Sequence, residues 1–208
     1  MRYHTISSVA AAALSVVPSV LAHYNFESLI VNGEETAAYQ YVRRTKNSNG
    51  PILDVFSDDI ICNNGGIDDD VMAETETYTV AAGDQLGFKM NEMLGHPGPL
   101  HVYMSKAPST AQEYKGDGDW FKIYELTTSD QRPDPIKWAK FDTGDGGARN
   151  FTFTLPEDLP AGDYLLRGES IALHSAGTVG EAQFYSKTLS CVSLMTFPRK
   201  GEHCLAHG

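Results

Sequence analysis

The chain has 208 residues, with 27 Asp and Glu against 16 Lys and Arg, a net charge of −11. That balance, with no Lys/Arg patch, excludes nucleic acid and an anionic membrane as partners, because phosphate binding needs clustered cations. A neutral partner such as a polysaccharide suits it better.

The first 22 residues, MRYHTISSVAAAALSVVPSVLA, read as a signal peptide. One basic residue, Arg2, precedes an apolar run from Val9, and Val20-Leu21-Ala22 offers small residues where a signal peptidase reads. A membrane anchor needs about 20 apolar residues, and Pro18 interrupts this run. The expectation is a secreted, extracellular, monomeric protein whose first residue is His23. An N-terminal His carries a free amine beside its imidazole, and those two nitrogens can grip one metal ion.

From residue 23 onward the chain reads as short strands separated by turns. Apolar and β-branched runs occur at 26–31, 77–80, 85–90, 100–105, 120–126, 150–155, 163–173 and 181–185. Between them lie NSNG, NNGG, AAGD, GDGD, GDGG and LPAGD, all of them turn chemistry. No 3.6-residue apolar period is sustained, so long helices are not expected. The pattern predicts an all-β fold: an antiparallel, immunoglobulin/fibronectin-like sandwich with functional loops at its ends. The domain is expected to span 23–194, followed by an atypical tail, 195–208, that lacks strand alternation. Asn150, in the triplet NFT, is a candidate N-glycosylation site.

The cysteines are Cys62, Cys191 and Cys204, none in a CxxC pair, which removes zinc-ribbon and thioredoxin readings. In an oxidising compartment the natural count is one disulfide and one leftover thiol. Cys62–Cys191 would tie an early loop to a late strand; Cys191–Cys204 is the local alternative.

Of the seven histidines, His4 leaves with the leader, and His203 and His207 sit in the tail. His96 lies in GHPGP, where Pro97 restricts its backbone to an extended conformation and the Gly-Pro pairs forbid helix. A stiff loop fixes where an imidazole points, as a metal ligand requires. His101 reads as an ordinary strand-end residue. His174 ends a long apolar strand, either as a buried, satisfied His or as a donor facing a site. Gln183 and Tyr185, two apart, share one face of a strand, which marks either a polar site or a solvent-facing strand.

The segments HYNFESLIVNG, YVRRTKNSNGPILDV, DIICN, TVAAGDQLGF, GHPGPLHVYMSKAP, WFKIYE, LPAGDYLLRGESIALHSAG and AQFY follow one another in order. They closely resemble the fungal lytic polysaccharide monooxygenases of auxiliary activity family nine, over roughly residues 23–185. The resemblance implies one copper held in a histidine brace: the amine and Nδ1 of His23, and Nε2 of His96. It places Tyr185 on the axial side, with His174 and Gln183 bonding copper-bound oxygen species. It further implies O2 or H2O2 as co-substrate and an external electron donor, such as a small phenol or cellobiose dehydrogenase. The implied substrate is cellulose or a related β-1,4-glucan oxidised at C1 and/or C4, met by a flat face around the copper.

The chemistry of the residues agrees. An α-amine has a reference pKa of about 7.7–8.0 and yields its proton to a metal far more readily than a Lys does. Three nitrogen donors favour Cu(II), and the lack of thiolate or Met ligands excludes a blue-copper centre. No GxSxG elbow supports a serine hydrolase. After Tyr185 the sequence departs from the family: SKTLSCVSLM delays Cys191, and the family's long aromatic C-terminal loop is missing. Tyr24 is therefore the aromatic expected to remain on the substrate face, its alternative role being simple packing. The same departure leaves open a secreted, non-catalytic brace protein that binds copper but has lost its polysaccharide face.

Overall fold

The computed structural model describes residues 23–132, 135–143 and 146–195, the side chains of 187–191 and 195 excepted. Its elements in chain order begin with strands β1 (Phe26–Val31) and β2 (Glu34–Glu35) and the short helices α1 (Asp59–Cys62) and α2 (Asp69–Glu74). Strands β3 (Thr77–Ala81), β4 (Gln85–Met90), β5 (Leu100–Lys106) and β6 (Phe121–Leu126) follow. Next come β7 (Thr128–Asp130), β8 (Lys137–Trp138) and a 3-10 turn (Ala139–Phe141). Strands β9 (Asn150–Thr154), β10 (Gly162–Ala172) and β11 (Gln183–Met195) complete the order.

Among the described residues the strands form a four-stranded sheet, β2-β1-β4-β9, a five-stranded sheet, β3-β11-β10-β5-β6, and a small β7-β8 ribbon. The two larger sheets bury one face each. In β5, Leu100, Val102 and Met104 are fully buried while His101 and Tyr103 between them are not, the period-two alternation of a half-buried strand. Facing them, Phe88 meets Phe26, Phe151 and Phe153 with ring centroids 5.4–5.9 Å apart, edge-on or tilted as ring quadrupoles prefer.

Each of the apolar runs read from the sequence overlaps a strand, and β1 and β4 match their runs residue for residue. Three features differ. Helices α1 and α2 span only four and six residues, too short to show a helical period. The sandwich is not antiparallel throughout: β3 pairs parallel with β11, which long separation in sequence permits because no hairpin fixes their directions. And β11 continues past Tyr185 to Met195. Its extra length is absorbed by a bulge: Leu165 faces Cys191 and Leu166 faces Leu189, leaving Ser190 as the additional residue. The predicted signal peptide, the tail from 196 onward, Cys204, His203 and His207 all lie outside the described residues.

Antiparallel pairing of β5, β10 and β11 brings the start of β5, the end of β10 and the start of β11 to one end of the sandwich. The segment ahead of β1 reaches the same end, because Phe26 faces Met90 at the end of β4. The loop 91–99 then crosses from one sheet to the other.

Candidate metal centre

His23 precedes β1 and is exposed at the surface, but its main chain is held. Asn49 donates from Nδ2 to the His23 carbonyl (3.0 Å), and Asn91 donates to Asn49 Oδ1 (2.9 Å). The Asn25 amide donates to Asn91 Oδ1 (2.7 Å), and Asn25 Nδ2 donates to the Ser48 carbonyl (2.7 Å). Three asparagines thus fix the backbone at residue 23. None of them stood out in the sequence, where NSNG reads only as a turn.

His96 is fixed from the other side. The amides of Ile171 and Leu173 donate to the carbonyls of Pro99 (3.0 Å) and Pro97 (2.8 Å), so the Gly-Pro loop runs beside the end of β10. Gly98, at φ +139, lies so close that a Cβ there would sit 1.9 Å from the Ile171 carbonyl oxygen; only glycine allows this approach. The clamp sets His96 against His174, which follows β10, with centroids 4.1 Å apart and planes at 15°.

Tyr185 completes the group. The ring centroids of His23 and His96 are 6.2 Å apart, and those of Tyr185 lie 6.0 and 5.9 Å from them, a nearly equilateral triangle. Tyr185 is buried and donates its hydroxyl hydrogen to Gln183 Oε1 (2.9 Å). Burial raises its phenol pKa, so the hydroxyl stays protonated with oxygen lone pairs still available. Burial first, then the neighbouring His174, His23 and Lys140, pull the His96 imidazole down to about 4. It is therefore neutral, the form that can ligate a metal.

Tyr24 corrects an expectation. It is only 1% exposed and cannot stack on a sugar at the surface. Strand alternation from β1 turns it inward, and its ring lies 4.3 Å from that of Tyr185. Its hydroxyl donates to Ser170 Oγ (2.7 Å), which also accepts from Lys140 Nζ (3.2 Å). Ser170 faces Tyr185 across the β10–β11 ladder. His101 belongs elsewhere: its Nδ1 is 3.7 Å from Glu169. Lys140 and Ser170 escaped the sequence reading, because KWAKF contains two lysines and nothing local says which one is buried.

Among the described residues no three His, Cys, Asp or Glu side chains form a metal-binding group. One observation is consistent with a metal: His96 Nε2 is buried without a hydrogen-bond partner, as is His101 Nδ1, but only His96 belongs to the imidazoles grouped with Tyr185. Two imidazoles with a tyrosine hydroxyl and no thiolate suit Cu(II).

A sequence model of "Auxiliary Activity family 9 (formerly GH61)" matches residues 23–195. The chain belongs to this family. It is 47% identical over 190 residues to AA9 family lytic polysaccharide monooxygenase C of Emericella nidulans, covering 86% of this chain and 74% of that protein. It is 40% identical over 195 residues to monooxygenase H of Malbranchea cinnamomea, covering 91% and 79%. In three dimensions it resembles HiLPMO9B, with a TM-score of 0.70 at 21% identity over 84% of this chain and 79% of that one. A cellulose-active polysaccharide monooxygenase from M. thermophila superposes with a TM-score of 0.66 at 23% identity, covering 84% and 78%. These structural likenesses establish the β-sandwich. The AA9 chain is thus a lytic polysaccharide monooxygenase of a copper-dependent oxidoreductase family.

Proposed function

We propose that this AA9 protein is a secreted enzyme that oxidatively cleaves a β-1,4-glucan, cellulose above all, at C1 and/or C4. The observation that carries the reading is the triangle of His23, His96 and Tyr185, one of whose members, His96, has a buried, unpartnered Nε2. The family match beginning at residue 23 supports removal of 1–22 as a signal peptide, with 23–194 as the catalytic domain and 195–208 as a tail.

In this reading the amine and Nδ1 of His23 and Nε2 of His96 would hold one copper, with the Tyr185 hydroxyl beside it. Bound there, copper supplies the one-electron chemistry that activates O2 or H2O2 toward a glycosidic C–H bond, using electrons from an external phenol or cellobiose dehydrogenase. The protein's part is preparation. His96 is already neutral and clamped, so it ligates without releasing a proton or reorganising. Tyr185 keeps its proton, directed to Gln183. His174, exposed beside His96, and Gln183 are the polar groups suited to orient the co-substrate.

Substrate contact falls to aliphatic and aromatic side chains other than Tyr24. Phe56 is 95% exposed, with Leu53 and Val55 beside it, in the loop that follows Ile52, itself bridged to Phe184. Leu173 and Val179, from the His174 loop, are also exposed. An apolar face of this kind suits the flat faces of glucan rings. The exposed Asn150 of the edge strand β9 remains the proposed glycosylation site. The proposed Cys62–Cys191 disulfide is supported by the packing of α1 against β11.

The test uses the mature chain starting at His23, loaded with copper and incubated with cellulose, ascorbate and peroxide. Aldonic or C4-oxidised oligosaccharides are expected, and His96→Ala should abolish them while weakening Cu(II) binding more than about a hundredfold, since altering even an outer partner of a ligand loses 10–100-fold. A copper-bound wild type that yields no oxidised product on any β-1,4-glucan would refute the assignment.

A further inference from the structure

Lys140 is a buried titratable group for which the proposed chemistry has no use. It is 1% exposed, and among the described residues burial is the sole influence on its pKa, with no carboxylate offsetting the charge. Buried cations are normally paired, because desolvation of an isolated charge is costly. Burial alone brings this ammonium down to about 7.

Its position is specified by the same scaffold that holds the metal centre. The Lys140 carbonyl accepts from the Ala148 amide (3.0 Å), and the Ala148 carbonyl accepts from the Leu94 amide (2.9 Å), two residues before His96. At the other end Nζ donates to Ser170 Oγ (3.2 Å), the atom that also receives the Tyr24 hydroxyl (2.7 Å). The Tyr24 ring lies 4.3 Å from Tyr185 and 6.4 Å from His96. The groups felt by His96 are His174, His23 and Lys140, none of them acidic. A chain of net charge −11 thus places beneath this site a cation with no carboxylate partner among the described residues.

We propose that Lys140 is a positioning residue of the metal centre: fixed under the Tyr24–Tyr185 stack by Ser170, its ammonium is a built-in positive charge that favours the less positive, reduced state of the bound copper. The inference rests on the copper reading above. The physical cause is Coulomb repulsion across a partly desolvated interior, where screening is weaker than in water. Cu(II) is repelled more than Cu(I), so the charge raises the reduction potential.

The experiment is a redox titration of copper-loaded mature protein at pH 6, where the amine is protonated, followed by the Cu(II) EPR signal. Lys140→Met removes the charge at similar volume. Lys140→Gln removes it while keeping a donor to Ser170, and carries the test should the Met variant not fold. Both variants are expected to retain a nitrogen-ligated Cu(II) spectrum. At a fixed ambient potential their Cu(I)/Cu(II) ratio should fall about tenfold, which is about 59 mV for a one-electron couple. An unchanged or higher potential in a folded variant overturns the proposal while leaving the copper assignment standing. A wild type lacking the nitrogen-ligated spectrum overturns both.

Discussion

Two cations lie on opposite faces of β10, Arg167 partly covered and Lys140 fully buried, and the protein treats them differently. Arg167 lies between the rings of Tyr103 and Trp120, 4.8 and 4.7 Å from their centroids, with Glu169 at 3.8 Å. Ser186 donates to the same carboxylate. Lys140, reaching Ser170 on the other face, has one hydroxyl and no counter-charge among the described residues. For Arg167, rings and a carboxylate offset its desolvation. Beneath the metal centre Lys140 has the Phe141 ring, 5.9 Å from its Nζ, and no carboxylate among the described residues, so it lowers stability in a place where its charge has something to act on.

The comparison can be broken from either side. Glu169→Gln should leave the partly covered Arg167 without its carboxylate and destabilise the fold by about 1–3 kcal/mol, read as a fall in the urea midpoint; a loss under about 1 kcal/mol would show that the rings alone suffice. For Lys140 the sign reverses. Its folded pKa, about 7, lies below the ordinary 10.5, so between those values the unfolded chain binds the extra proton. Stability should therefore rise with pH through that window, by up to about 1.4 kcal/mol per pH unit. In Lys140→Met this contribution should vanish, with no net loss of stability at pH 7; thermal melts from pH 6 to 10 measure both. Asn49→Ala is the mildest change: it frees the His23 carbonyl at about 0.5–1.5 kcal/mol. Exchange of the amides of Asn25 and Asn91 should quicken while the core stays protected.

The strands were legible because a half-buried strand writes its alternation into the sequence, as Leu100, Val102 and Met104 do. His96 was legible because Gly-Pro pairs announce a rigid loop. The Lys140–Ser170–Tyr24 chain was not, because its members are far apart in sequence and meet only when two sheets stack. Tyr24 misled for a related reason: adjacency to His23 in the chain does not decide which way its ring turns. The length of β11 was hidden because a bulge at Ser190 breaks the alternation that would have marked it.

Asn49 grips the carbonyl of residue 23 rather than its ring, and that choice has an engineering corollary. The seat holds the main chain, so this grip does not depend on the side chain of residue 23. Chains beginning with other residues should dock in the same place, which makes this seat a ready mount for unfamiliar donor groups without redesign of the surrounding sandwich.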